Sequence, residues 1–193
     1  MSDTKTRRSS KAHAILSAAS SRQWLNCPPS ARLQEGIPGE SSSYAEEGTA
    51  AHELAEYKIR RHYKNETLPR PQSKFFTEEI ENATDIYAEF VGSVLTETRQ
   101  NGVNPLLLVE ERLDFSNVVP DGFGTGDAVI IGSTPDGSGL IHVVDFKAGR
   151  GVLVSADHNS QMMLYALGAL NAYGWLYDVD VVRMSIVQPR MEN

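Results

Sequence analysis

Two β-rich runs, residues 127–131 and 140–147, flank the turn-rich stretch Ser-Thr-Pro-Asp-Gly-Ser-Gly at 133–139. Turn residues between two such runs predict an antiparallel hairpin. Asp127 and Asp145 are equidistant from the turn centre near Asp136, so a simple hairpin sets them opposite each other. Directly paired Cβ atoms lie ~4.5–5.5 Å apart. Two carboxylates at that distance repel unless one is protonated or a cation lies between them. Strand alternation puts Ile141, Val143 and Lys147 on the Asp145 face, and Val129 and Ile131 on the Asp127 face. An apolar face that ends in two aspartates and a lysine packs poorly and suits catalysis. Oxygen donors fit Mg²⁺ or Mn²⁺, and the lysine can orient a water or stabilise developing negative charge. The competing reading is a surface hairpin with a cross-strand salt bridge, because a lone Asp-x-Lys is common by chance.

The order of the other elements frames this hairpin. Residues 1–11 are polar and basic and read as a disordered tail. Residues 12–193 read as a single domain, since a chain of 193 residues supports one sizeable core. Residues 13–33 read as a helix broken at Pro28-Pro29, and 36–47 as a Gly/Ser/Pro/Glu loop. A helix is expected from the cap residue Thr49 to about Tyr63. Another follows Thr77, with Glu78 and Glu79 in the first turn, where the helix dipole favours acids. Its apolar residues Ile80, Ala83, Tyr87, Phe90 and Val94 step at helical spacing, and Asn101-Gly102 stops it. A strand over 106–113, the hairpin, a helix over about 159–173 and a strand over 179–187 complete the chain. This order predicts an α/β (α+β) fold, a small mixed central β-sheet flanked by helices.

Composition narrows the function classes. An apolar fraction of 40% and a charged fraction of 22% exclude wholesale disorder. No apolar run approaches the ~20 residues of a membrane span, and no signal-peptide core follows the basic N-terminal residues. Cys27 is the sole cysteine, so a reducing cytoplasm is the expected setting. A net charge of −7 excludes a histone-like coat of cations, but not a local DNA groove. The densest basic stretch holds Lys58, Arg60, Arg61, Lys64, Arg70 and Lys74 against the single acid Glu66. It reads equally as a DNA track or as a solvated helix face. Arg150, just past the Asp145–Lys147 strand, is the better-placed phosphate contact, and Lys5, Arg7, Arg8 and Lys11 add non-specific affinity.

His52 and Glu56 share one helix face. An imidazole ligand there would tilt a metal toward Mn²⁺, although a helical histidine also serves as an ordinary hydrogen-bonding residue. Gln161 and Tyr165 have the same spacing and, taken alone, form a polar edge beside Met162, Leu164 and Leu167.

Taken in order, Gly48-Thr49-x-x-His52, Gly124-Thr125-Gly126-Asp127, Asp145-Phe146-Lys147 and Gln161-x-x-x-Tyr165 resemble the RecB-like branch of the PD-(D/E)XK nuclease superfamily. More narrowly, the chain resembles a phage-encoded family of RecB-like proteins related to CRISPR-associated nucleases. The opening stretch from Ser17 to Pro28 is similar too, and the resemblance extends to about Arg190. It implies a restriction-endonuclease-like core. His52, Asp127 and Asp145 would bind the divalent metal, with the Phe146 backbone carbonyl as a further ligand. Lys147 would position the attacking water, and Gln161 and Tyr165 would support the site and contact DNA. Glu111, grouped with Val109 and Leu113, is a further candidate carboxylate, either behind the metal or on a second ion. A pairing with Arg112 or Arg150 explains it equally well.

The implied activity is that of a metal-dependent, exonuclease-like deoxyribonuclease. It would process phage or mobile-element DNA in the cytoplasm of a bacterial host, with weak sequence specificity. A homo-oligomer or a recombination partner protein is compatible with the resemblance. The alternative is a catalytically silent accessory factor that binds DNA or protein. A zinc hydrolase built on His13, His52, His142 or His158 lacks the His-Glu-x-x-His and paired-cysteine spacings. Many relatives hold an iron–sulfur cluster on one early cysteine and three late ones. A single thiolate cannot hold such a cluster, so none is expected in this chain. Cys27 then reads as a buried packing residue. Either the partner cysteines lie on a C-terminal part beyond Asn193, or this version dispenses with the cluster.

Overall fold

The structure, a computed structural model, describes residues 14–34 and 42–191. The predicted tail at 1–11, His13 and the first part of the predicted loop (36–41) lie outside the described residues.

Near the N-terminus, the helix predicted over 13–33 is instead two short ones. Helix α1 (Ser21–Asn26) and α2 (Ser30–Leu33) lie on either side of Pro28-Pro29, and residues 14–20 are turns. Ser17 and Ser20 bond each other and the local backbone, which competes with helix formation. Cys27 sits at the surface break between these helices and is exposed, which corrects its expected burial.

Helix α3 (Ser43–Tyr63) begins at Ser43 rather than Thr49. The Ser42 hydroxyl accepts from the Ala45 N–H and caps it, a contact worth about 1 kcal/mol. Ala45, Glu46 and Glu47 are strong helix formers, so the stretch read as loop extends the first turn. Thr49, the predicted cap, lies inside the helix and bonds back to the Ala45 carbonyl. Helix α4 (Glu78–Gln100) begins where expected, with the Thr77 side chain accepting from the Ile80 N–H.

Four strands follow: β1 (Leu106–Asp114), β2 (Phe123–Ser133), β3 (Gly139–Phe146) and β4 (Val179–Val187). They form one sheet in the order β1-β2-β3-β4, with the first three antiparallel and β4 parallel to β3. A parallel neighbour requires a crossover. Helix α5 (Ser160–Ala169), a π-helical turn (Leu170–Gly174) and α6 (Trp175–Tyr177) supply it, dividing the stretch predicted as one helix. The Asn159 side chain caps α5 by accepting from the Met162 N–H. The result is a small mixed sheet flanked by helices.

Each face of the sheet has its own core. On one face, α3 and α4 pack Leu54, Ile59, Ile80, Tyr87 and Leu95 against Leu107, Val109, Ala128, Ile130, Val144 and Phe146. On the other, Trp24 and the α5 residues Met162 and Tyr165 pack against Leu113, Val129, Ile131, Ile141 and Val143. The burial of these apolar side chains is the dominant stabilising contribution.

Strands β1 and β2 both exchange faces at the same level. Leu107 and Val109 face α3 and α4, whereas Leu113 faces α5. Across from them, Ala128 and Ile130 face α3 and α4, whereas a Cβ on Gly126 would meet Leu113, and one on Gly124 would meet the Tyr165 ring, 2.6 Å away. The β1–β2 register continues unbroken on both sides of Glu110 and Asp127, which face each other across the gap in the ladder. Glu110 occupies the left-handed region, with φ 53°. Sequence alternation could not anticipate this reversal, and it falls at the site.

Candidate metal centre

Asp127 lies at this reversal, one step beyond the Ala128–Val144 pair of the hairpin. Continuing the register puts Asp127 opposite Asp145, as the turn-centre count predicts. The Phe146 N–H donates to Asp127 Oδ2 at 2.7 Å. Asp127 Oδ1 lies 3.2 Å from His52 Nδ1. Helix α3 delivers His52 from the first core, where its ring lies 5.3 Å from the Phe146 ring. Phe146 in turn stacks on Tyr87 at 4.8 Å, so the backbone that meets Asp127 is fixed by aromatic packing.

Glu110 completes the group. Ligand atoms of His52, Glu110 and Asp127 lie within 4.8 Å of one another, a spacing that one cation can span. The expected Glu111 is not the carboxylate at the centre. Because β1 exchanges faces at Glu110, Glu111 turns to the other side and accepts a 2.7 Å hydrogen bond from Tyr173. It pairs with neither Arg112 nor Arg150: Arg112 lies over the Phe123 ring.

The second half of the site is a polar relay on the α5 side. Lys147 Nζ lies 2.9 Å from Asp145 Oδ2 and donates to Gln161 Oε1 at 3.1 Å. Gln161 Nε2 donates to Asp145 Oδ1 at 3.2 Å and to Tyr165 Oη at 3.1 Å. Gln161 and Tyr165 share a face of α5 because their spacing is close to one helical turn. The glycine at 124 leaves the room that the Tyr165 ring occupies.

The electrostatics follow from burial and crowding. Asp145 is 2% exposed. Burial, then the nearby charge of Asp127, pushes its carboxyl up to about 6, against the pull of Lys147. Its Oδ2 is buried against the Lys147 ammonium. Burial alone would lower His52, but the charge and hydrogen bond of Asp127 outweigh it, and Asp145 and Glu110 add to the rise. Burial holds the Tyr165 hydroxyl well above its ordinary range, so it stays protonated.

His52, Asp127, Asp145, Lys147, Gln161 and Tyr165 therefore come together, but Phe146 meets the site through its N–H rather than the expected carbonyl, and the close group of ligand atoms holds Glu110 in place of the expected Asp145. The proposed DNA-contacting cations do not join them. Arg60 bonds Glu56, Glu66 and the Val109 carbonyl. Arg61 donates to Tyr57, and Lys64 to the Leu107 carbonyl. Arg150 pairs with Glu79. Lys58, Arg70 and Lys74 also meet acids, drawn from α3 and α4. Within the stretch read as basic against one acid, Lys58, Arg70 and Lys74 thus meet carboxylates remote in sequence, whereas Arg60 and Lys64 meet acids close in sequence. His142 lies on the opposite face, bonded to Ser185, and His158 is exposed beside Asp157.

Glu110 had no periodic signature, since a glutamate in the left-handed region breaks the alternation that sequence reading assumes. Among the described residues, no helix is long and apolar enough to cross a membrane.

Fold and site together define a mixed-sheet α/β protein with a carboxylate–imidazole centre at the end of its hairpin. The chain belongs to the family DUF2800, described as a protein of unknown function, whose pattern matches residues 13–193.

Proposed function

We propose that this protein is a divalent-metal-dependent deoxyribonuclease with a restriction-endonuclease-like, RecB-related core. The observation that carries the reading is the convergence of His52, Glu110 and Asp127 beside Asp145 and Lys147. The donor set fits Mg²⁺ or Mn²⁺: oxygen donors dominate, and one imidazole favours Mn²⁺. The crowding of the buried Asp145 carboxyl by the charge of Asp127 supports the same reading, because a cation between two such carboxylates relieves their repulsion. His52, Glu110, Asp127 and Asp145 would hold the ion. Once bound, it would supply Lewis acidity and a water of lowered pKa.

The protein's own groups do the rest. Gln161 anchors the Lys147 ammonium from one side and Asp145 from the other, so its charge is already in place where a phosphate would gain negative charge. Gln161 also donates to Tyr165 Oη, which leaves the Tyr165 proton available to a second acceptor. A cleft of about 520 Å³ opens at His52, Glu110, Asp127 and Tyr165 and gives a phosphodiester access to the centre. The proposed setting is phage or mobile-element DNA processing in the cytoplasm of a bacterial host.

The test incubates the protein with linear and circular DNA, single- and double-stranded, in Mg²⁺, Mn²⁺ or EDTA, beside Asp145→Ala and Lys147→Ala. Metal-dependent cleavage lost in both variants is expected. Cleavage that survives both substitutions or ignores EDTA refutes the mechanism. No cleavage in any condition favours a silent DNA- or protein-binding factor.

A further inference from the structure

A second cleft, of about 670 Å³, opens on the Lys147 side of the centre. Arg22 and Leu25 of α1, Val152 and Leu153, and Lys147 and Gln161 of the centre all line it. Its size falls in the range of small organic ligand sites.

Val152 and Leu153 are 77% and 70% exposed. They are not loosely placed. Gln188 Nε2 donates to the Gly149 and Val152 carbonyls, and its Oε1 accepts from the Val154 N–H. These bonds hold the backbone around two aliphatic residues whose side chains stay largely exposed in the cleft. Arg22, which lines the same cleft, is exposed and makes no ion pair among the described residues, unlike Arg60, Lys64 and Arg150. The one acid on the rim, Asp157, lies 3.7 Å from His158.

Apolar surface in one cleft with a cation that has no ion pair among the described residues, and with Lys147, matches a ligand with a flat apolar face and an anion. A nucleotide has both. A base within a duplex has its faces covered by its stacked neighbours, whereas an unpaired base can lie against aliphatic side chains.

We propose that this cleft binds an unpaired nucleotide flanking the scissile phosphate, its base on Val152 and Leu153 and its own phosphate on Arg22. The place of the scissile phosphate rests on the nuclease reading above.

The test measures fluorescence anisotropy of a short labelled oligothymidylate with the full chain in EDTA, so that no cleavage occurs. The proteins are wild type, Arg22→Ala, Leu153→Ser and, as an exposed apolar control away from the cleft, Leu33→Ser. Both cleft variants should bind roughly tenfold more weakly or worse. The control should bind like wild type, and a blunt duplex should not displace the oligonucleotide. Wild-type affinity in both cleft variants, equal displacement by the duplex, or no binding by wild type each overturns the subsite. Cleavage with Mn²⁺, run in parallel with Asp145→Ala, keeps the two readings apart. Variants that bind and cut like wild type sink the subsite and leave the nuclease standing. Cleft-dependent binding without any cleavage does the reverse.

Discussion

The Phe146 amide and the Asp127 carboxylate are joined at 2.7 Å, one residue past the aspartate that Asp127 opposes. That bond makes Asp127 both a structural acceptor and a candidate ligand, and two substitutions separate the roles. Asp127→Asn keeps an oxygen for the buried N–H and removes the charge that crowds Asp145. Asp127→Ala leaves the N–H unpaired. In EDTA at pH 8, the alanine variant should be about 1–2 kcal/mol less stable than the asparagine variant by urea unfolding. Both should lose Mn²⁺ affinity by an order of magnitude or more in calorimetry. Equal stabilities would show that the bond contributes nothing.

Glu110 and Glu111 give the sharpest contrast between neighbours. Glu110→Ala should weaken Mn²⁺ binding, while Glu111→Ala should leave it near wild type and disturb only the Tyr173 contact. Burial and the Glu111 bond hold the Tyr173 hydroxyl up at about 12, so its titration should fall toward the ordinary range in Glu111→Ala. The reverse pattern in metal titration would return the centre to Glu111.

Metal affinity should depend on pH. In the metal-free fold, Asp145 holds its proton up to about 6, well above an unfolded aspartate. Its contribution to stability is therefore full below pH ~4 and is lost as pH rises through 6. Metal binding demands the opposite, an ionised Asp145 and a neutral His52, whose own titration is also raised. Mn²⁺ affinity should climb from pH 5.5 and level off only in the mildly alkaline range. A flat profile would show that neither group is a ligand.

His142 acts with the other sign, on the far face of β3. Burial, with help from Arg183, lowers its titration to about 4, so the folded state keeps it neutral where the unfolded chain protonates it. Stability should fall by roughly 3 kcal/mol as pH drops from 6.5 to 4, offset in part by Asp145. The double variant His142→Val, Ser185→Ala should lose this fall, gaining on wild type as the pH is lowered. Parallel pH profiles for the two proteins would dismiss His142 as the cause.

Lys147→Ala should lower the cleavage rate by about 10² or more with little change in Mn²⁺ affinity, since Lys147 touches the carboxylate but offers no ligand. Gln161→Ala should fall less far, by releasing Lys147 and Asp145 together. A rate unchanged by Gln161→Ala would remove the relay from the mechanism.

The hairpin register, the starts of α4 and α5 and the shared face of Gln161 and Tyr165 were legible because each depends on local periodicity or a local turn. The association of His52 with Asp127 came from motif order, not periodicity, since the two are brought together only by packing α3 on the sheet. Three features were not legible. Glu110 depends on a single backbone angle, Lys58, Arg70 and Lys74 pair with acids remote in sequence, and Cys27 is exposed because two prolines break its helix at the surface.

The left-handed backbone at residue 110 carries a lasting trade. Glycine would adopt that angle freely, whereas a side chain there costs on the order of 1 kcal/mol. Selection for heat tolerance alone should drift this position to glycine, while selection that rewards ion-dependent work should hold the acid. The amino acid recovered at 110 after either regime is a readout of what the lineage was asked to do.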